Sequence, residues 1–215
     1  HDALPILKDG WSPEHGPRED GIAHDQQITR ELFRAILAAA KELKIDDAFV
    51  KEVARIEPKL LKDKIGSWGQ LQEWETDRDK KGDQHRHTSH LYAVYPGSTI
   101  SPKATPELAE AAKVALAGRT LTGDSRRSWT WPWRAALWAR LGEGDKAGEM
   151  LDSLLRYNTL DNMFATHPPF QIDGNLGMVG AVCEMLLEGA IPASWPHGTV
   201  KGLRTRDGGT KDFSW

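Results

Sequence analysis

The chain has 215 residues, 39% of them hydrophobic and 27% charged, which suits a folded core rather than a disordered segment. A formal net charge of −3 argues against a nucleic-acid footprint, and no apolar run reaches the length of a membrane span. A single cysteine, Cys183, excludes an internal disulfide and leaves the compartment open, with a secreted or periplasmic setting expected over a cytoplasmic one.

In chain order, residues 1–27 carry Pro5, Gly10, Pro13, Gly16, Pro17 and Gly21 too densely for a regular element and read as loop. Within it, Trp11-Ser12-Pro13-Glu14-His15-Gly16 sets an acid and an imidazole beside an indole. Residues 28–43 repeat Ile28, Leu32, Phe33, Ile36, Leu37, Ala40 and Leu43 at helical spacing. Asp46-Asp47 can cap a second helix running to about Leu61, and the two predict an antiparallel helical hairpin. Residues 64–86 are irregular: Gln70-Leu71-Gln72-Glu73-Trp74 forms a short element, and Asp77 to Asp83 reads as a solvated turn. Thr105-Pro106-Glu107 opens a helix to about Gly118, with proline in its first turn. Further helices are expected over Trp133–Leu141, after a cap at Asp145, and from Asp173 to Gly189. Beyond Pro192, Thr199–Arg204 alternates like a strand, Asp207-Gly208-Gly209 turns, and Asp212–Trp215 returns.

The aspartate at the last helix start draws attention. Thr166-His167-Pro168-Pro169-Phe170-Gln171-Ile172-Asp173-Gly174-Asn175 is a stiff, non-helical approach that delivers Asp173 to a helix N-terminus. The positive end of the helix dipole keeps a carboxylate ionised there, fit to serve as a base; the same geometry describes a plain N-cap. Nine tryptophans against three tyrosines add indole faces of the kind that stack on sugar rings or fill cores. Acids sit beside aromatics at Glu14 and Trp11, Glu73 and Trp74, and Asp173 and Phe170. A proton donor and a water-activating carboxylate in an aromatic pocket are what glycosidic bond cleavage needs. His85, His87 and His90 suggest instead a metal-dependent hydrolase, but no second cluster completes a coordination sphere, and the imidazoles with Arg86 suit hydroxyl binding better. No phosphate-binding loop and no Gly-x-Ser-x-Gly elbow occur.

Four longer stretches are more specific. His167 to Gly177, His85-Arg86-His87-Thr88-Ser89-His90-Leu91-Tyr92 with Tyr95-Pro96-Gly97, Gly69-Gln70-Leu71-Gln72-Glu73-Trp74, and Leu137-Trp138-Ala139-Arg140-Leu141-Gly142 together resemble glycoside hydrolase family 95, in order and over nearly the whole chain. The resemblance implies a mainly α protein of (α/α)6-barrel helical hairpins and an inverting, exo-acting α-L-fucosidase or α-L-galactosidase without metal or organic cofactor. Its partner would be a fucosylated or L-galactosylated oligosaccharide. About half a dozen helices are too few for a closed barrel. Residues 1–190 are therefore expected to form its C-terminal half and 191–215 the start of a β-domain, the N-terminal part of the same polypeptide being missing and an apolar edge left open.

Carried over by motif, Asp173 belongs to the base machinery and His85 contacts a substrate hydroxyl. The family's amides lie upstream of this chain. Its general-acid glutamate is expected upstream too, in a Leu-Trp-Glu-type helix, with Glu14 as the alternative. Arg86, His90, Glu73, Trp74, Trp129, His167, Gln171 and Asn175 complete the substrate-binding candidates. Gly123-Asp124-Ser125-Arg126-Arg127-Ser128-Trp129 departs from the family's Gly-Trp-Ser segment, its arginines being expected at the pocket rim. A non-catalytic carbohydrate-binding module remains the alternative in which the indoles and hydroxyl ligands persist without the acid–base pair.

Overall fold

The computed structural model describes residues 6–215, and the chain forms two compact units, one ending at Arg119 and one spanning Thr120–Trp215. Both are dominated by helix, with a closing β-hairpin, in keeping with a partial (α/α) barrel. No helix among the described residues is long and apolar enough to cross a membrane.

The first unit begins with a loop that is more ordered than its prolines and glycines suggest. Gly10–Trp11 (β1) pairs antiparallel with Arg18–Glu19 (β2), leaving Ser12 to Pro17 as a closed turn with Glu14 near its tip. Helix α1 runs from Ala23 to Leu43, five residues earlier than its apolar repeat, and ends on Lys44 in the left-handed conformation. Helix α2, Ala48–Ile56, is capped as expected: the Val50 amide donates to Asp47 Oδ1 at 2.9 Å. It stops before the 3₁₀ turn Glu57–Lys59, because Pro58 removes a backbone donor and disfavours helix in the residue before it. Helix α3, Pro106–Gly118, buries an alanine-rich face of Ala109, Ala111, Ala112, Ala115 and Leu116.

Helix α1 turns its polar side inward. Gln26, Gln27 and Arg30 are buried, whereas Leu32 is 55% and Leu43 69% exposed. Gln27 donates to Asp63 Oδ1 and to the His90 carbonyl, and accepts from the Ala93 amide at 2.9 Å. Arg30 binds Asp63 at 3.0 Å and the Leu61 carbonyl. Of the apolar stripe read from the sequence, Ile28, Leu32 and Leu43 are exposed, Phe33, Ile36 and Leu37 are half-buried, and Ala40 is buried.

In the second unit α4, Thr130–Arg140, packs between α5, Gly144–Asn158, and α6, Ile172–Glu188. Trp131, Ala135, Leu137, Met150, Leu151, Leu154, Ala181 and Met185 form the core. The Trp131 indole donates to Asn158 Oδ1 at 2.8 Å, so the buried N–H is satisfied. Asp145 lies in the first turn of α5 rather than at its cap, which is Glu143, and its carboxylate accepts from the Ala193 amide at 2.7 Å. Helix α6 closes on Gly189, whose φ of 71° is the left-handed value that glycine adopts without strain. Strands Thr199–Arg204 (β3) and Thr210–Ser214 (β4) pair antiparallel, with a bulge between Val200 and Leu203. Arg206 in their connecting turn binds Glu184 and Glu188 of α6, which ties the hairpin to the helices.

Two glycines let α6 approach its neighbours. A Cβ on Gly174 would lie 2.6 Å from Ala165 Cβ and 2.9 Å from Ser128 Cβ, and one on Gly177 would lie 2.9 Å from Pro132 Cγ. Gly174→Ala is therefore expected to destabilise the second unit by about 1–3 kcal/mol, lowering its urea midpoint. An unchanged midpoint would show that the contact relaxes freely.

Candidate active site

In the first unit the residues singled out at Glu14, Glu73, Trp74, His85, Arg86 and His90 come together, around a carboxylate that is itself out of reach of solvent. Glu73 is 1% exposed. Its Oε1 accepts from Ser12 Oγ and from His15 Nε2 at 3.0 Å. Its Oε2 accepts from Arg119 at 2.8 Å and lies 3.4 Å from His90 Nδ1. Burial works against the charge, but the His15 hydrogen bond, the Arg119 guanidinium and the Ser12 hydroxyl outweigh it, holding the carboxyl well below the usual range. A buried carboxylate with four polar neighbours is satisfied where an unpaired one would be very costly.

The same burial keeps His90 neutral, its pKa lowered to about 4 despite the opposing Glu73 charge. The segment bearing Glu73 is fixed by aspartates that read as a solvated run in the sequence. The Glu73 amide donates to the Asp79 carboxylate at 3.2 Å, Gln70 donates to Asp77 at 2.9 Å, and Asp77 also accepts from the Ser67 amide at 2.6 Å. These side chains supplement a single antiparallel bridge between Ile65 and Leu71, since no regular element forms over Gln70–Trp74.

Glu14 projects from the other side of this network. Its neighbours Ser12 and His15 are both bound to Glu73, and its own carboxylate is exposed and paired with Arg86. His85 Nε2 lies 3.0 Å from the Glu14 amide nitrogen and 3.1 Å from the Pro13 carbonyl oxygen, and a neutral ring serves one of them at a time. His15 stacks on His85 at 3.8 Å between centroids, and burial together with His15 holds His85 below the usual imidazole range. Trp74 is 6% exposed, edge-on to His15, and its buried indole nitrogen has no hydrogen-bond partner. It borders a cavity of about 360 Å³ with His15, Gly16, Pro17, Arg78, Lys80 and Asp83, large enough for a sugar ring. Among the described residues no group of three or more His, Cys, Asp and Glu side chains is arranged to hold a metal ion.

The second unit holds the remaining candidates. Asp173 occupies the first turn of α6, after Gln171 at the cap position; it is exposed, and no hydrogen bond or ion pair engages its carboxylate among the described residues. So the plain cap reading does not describe it, while the partial positive charge of the helix end still faces it. Asn175 spends its amide on the chain: Oδ1 accepts from the Ala165 amide at 2.9 Å and Nδ2 donates to the Met163 carbonyl at 2.8 Å. The Arg127 guanidinium donates to the His167 carbonyl at 3.3 Å and to Asp124 at 2.8 Å, and Arg126 stacks over Tyr157 at 4.2 Å. Gln171 Oε1 and Ser128 Oγ are buried without hydrogen-bond partners. Trp129 is half-buried at the start of α4.

Ser12, His15, Arg119 and Asp79 escaped the sequence reading as site residues. Ser12 and His15 flank Glu14 and were visible as neighbours, but their convergence on Glu73 spans about sixty positions. Nothing around Arg119 distinguishes it from a helix-terminal cation.

Residues 2–186 match the family described as "Glycosyl hydrolase family 95 catalytic domain". Among curated relatives, "Probable alpha-fucosidase A" of Aspergillus niger is 38% identical over 95% of this chain and 30% of its own length. "Alpha-L-fucosidase 2" of Arabidopsis thaliana is 38% identical over 89% of the chain and 25% of its own length. "Probable alpha-fucosidase A" of Aspergillus oryzae is 35% identical over the whole chain and 35% of its own length. The chain thus spans about a third or less of the relatives it matches.

Asp79 gives this site a titration that can be read in solution. Burial pushes its carboxyl up to about 6 from 3.8, the Glu73 amide opposing and the Glu73 charge adding to the rise. A raised pKa in the folded state contributes stability that is full below 3.8 and lost as pH rises through about 6. Between about pH 4 and pH 7 the wild type should therefore lose on the order of 1–2 kcal/mol relative to Asp79→Asn. His90 titrates with the opposite sign in both proteins and cancels. Urea denaturation at the two pH values measures the difference, and a pH-independent gap would contradict it.

Proposed function

The chain belongs to glycoside hydrolase family 95, and from that premise we propose that it is a segment of an inverting exo-glycosidase that removes terminal α-L-fucose, or α-L-galactose, from oligosaccharides. The observation that carries the reading is the placement of Glu14, solvent-exposed on a turn braced from behind and flanked by Arg86 and His85. The names of the relatives, all α-fucosidases, supply the sugar.

In this mechanism Glu14 is the general acid. The sugar draws the Arg86 guanidinium onto a ring hydroxyl, which frees the Glu14 carboxyl to carry a proton to the glycosidic oxygen. As that bond breaks, water attacks the anomeric carbon from the opposite face and yields its proton to Asp173. His85, His90 and Gln171 assist in hydroxyl recognition, and Trp74, Trp129 and His167 shape the surroundings. Inversion pairs an acid that protonates the leaving oxygen with a base that activates water.

An aryl α-L-fucoside assay on the full-length protein tests this. Asp173→Asn should lower turnover by roughly 10²–10⁴-fold, while sugar binding, followed by tryptophan fluorescence, stays within a few-fold of wild type. The first product seen by NMR should be the β-anomer. Unchanged turnover would remove Asp173 from the mechanism, a first-formed α-anomer would exclude inversion, and binding without hydrolysis in wild type would favour a carbohydrate-binding module.

A further inference from the structure

We infer that Glu73 is a positioning residue for the proton donor: it touches no sugar, and it aims Glu14 by gripping the chain on both sides of it. The inference rests on Glu14 being the general acid. Glu73 Oε1 receives Ser12 Oγ, two residues before Glu14, and His15 Nε2, one residue after it. A single buried oxygen thereby pins both ends of the Ser12–His15 turn. Its other oxygen is anchored to Arg119 at 2.8 Å, on the far end of α3 from the turn's own sequence.

The grip extends to the facing residues. Ser12 Oγ lies 2.8 Å from Ser89 Oγ, and His15 stacks on His85, whose ring meets the Glu14 amide. The acid and the side chains flanking it are thus referred to one carboxylate that solvent does not reach, 1% exposed. Proton transfer demands a donor held within hydrogen-bond reach of the leaving oxygen. Glu14 itself is exposed on a six-residue turn, and among the described residues Arg86 alone is paired with its carboxylate. Rigidity must come from the segment beneath it, and Glu73 supplies the contacts.

The signature of a misplaced acid is selective. An alkoxide leaving group needs its proton, whereas an activated nitrophenolate departs without it. In the full-length protein, kcat/KM would be measured on an alkyl or disaccharide α-L-fucoside and on an activated nitrophenyl α-L-fucoside, with thermal melting as the check on folding. Glu14→Gln should lose roughly 10²-fold or more on the alkyl substrate and little on the activated one. Glu73→Gln should show the same selectivity at roughly 10–100-fold, and Ser12→Ala, which keeps the buried charge, the same direction at a few-fold. If Glu73→Gln fails to fold, Ser12→Ala decides.

Equal losses on both substrates, or no loss, for Glu73→Gln and Ser12→Ala while Glu14→Gln remains selective would overturn the positioning role and leave the acid in place. An unselective Glu14→Gln would overturn the acid assignment, and the positioning role with it.

Discussion

A carboxylate buried to 1% exposure cannot stand in a protein interior unless its charge is met, and Glu73 is met by Ser12, His15 and Arg119. Those partners come from the turn between β1 and β2 and from the end of α3, stretches about a hundred positions apart in the chain. Much of the first unit lacks regular secondary structure between Leu60 and Thr105. Over that stretch, side chains do what backbone hydrogen bonds do elsewhere. Asp77 and Asp79 hold the Gln70–Glu73 segment, Gln27 threads between the His90 carbonyl and the Ala93 amide, and Asp63 meets both Gln27 and Arg30. Irregular backbone supported this way can place functional side chains at angles that a helix or strand would forbid.

The buried polar face of α1 belongs to the same design. A lone globular domain of this composition would turn Ile28, Leu32 and Leu43 inward. Here Gln26, Gln27 and Arg30 face the irregular segment, and the leucines face outward. Both faces of the helix carry a burden, which is the condition of a helix set between two layers. The second unit solves its packing differently, with glycines at 174 and 177 bringing α6 close to the start of α4.

Helix periodicity, proline placement and the Asp47 cap were legible because they are local: their physics involves residues a few positions apart. The start of α1 was missed because Ala23 to Gln27 carry no apolar repeat, and what buries Gln27 is Asp63 and the His90 carbonyl, more than thirty positions away. The aspartate run from 77 to 83 read as solvent-facing for the same reason, since charge alone does not reveal which backbone amides converge on it.

By itself the sequence determined the helical class, the closing hairpin and the family, because each is written in residue types at short, ordered spacings. Tertiary structure decided what those residues do for one another. It buried Glu73 among polar partners, committed the Asn175 amide to the chain, and placed Asp173 beyond the cap position with its carboxylate unengaged among the described residues. The physical reason is that burial and hydrogen-bond satisfaction depend on which distant segments meet, and a side chain's charge becomes a brace or a reagent only once its surroundings have removed or admitted water.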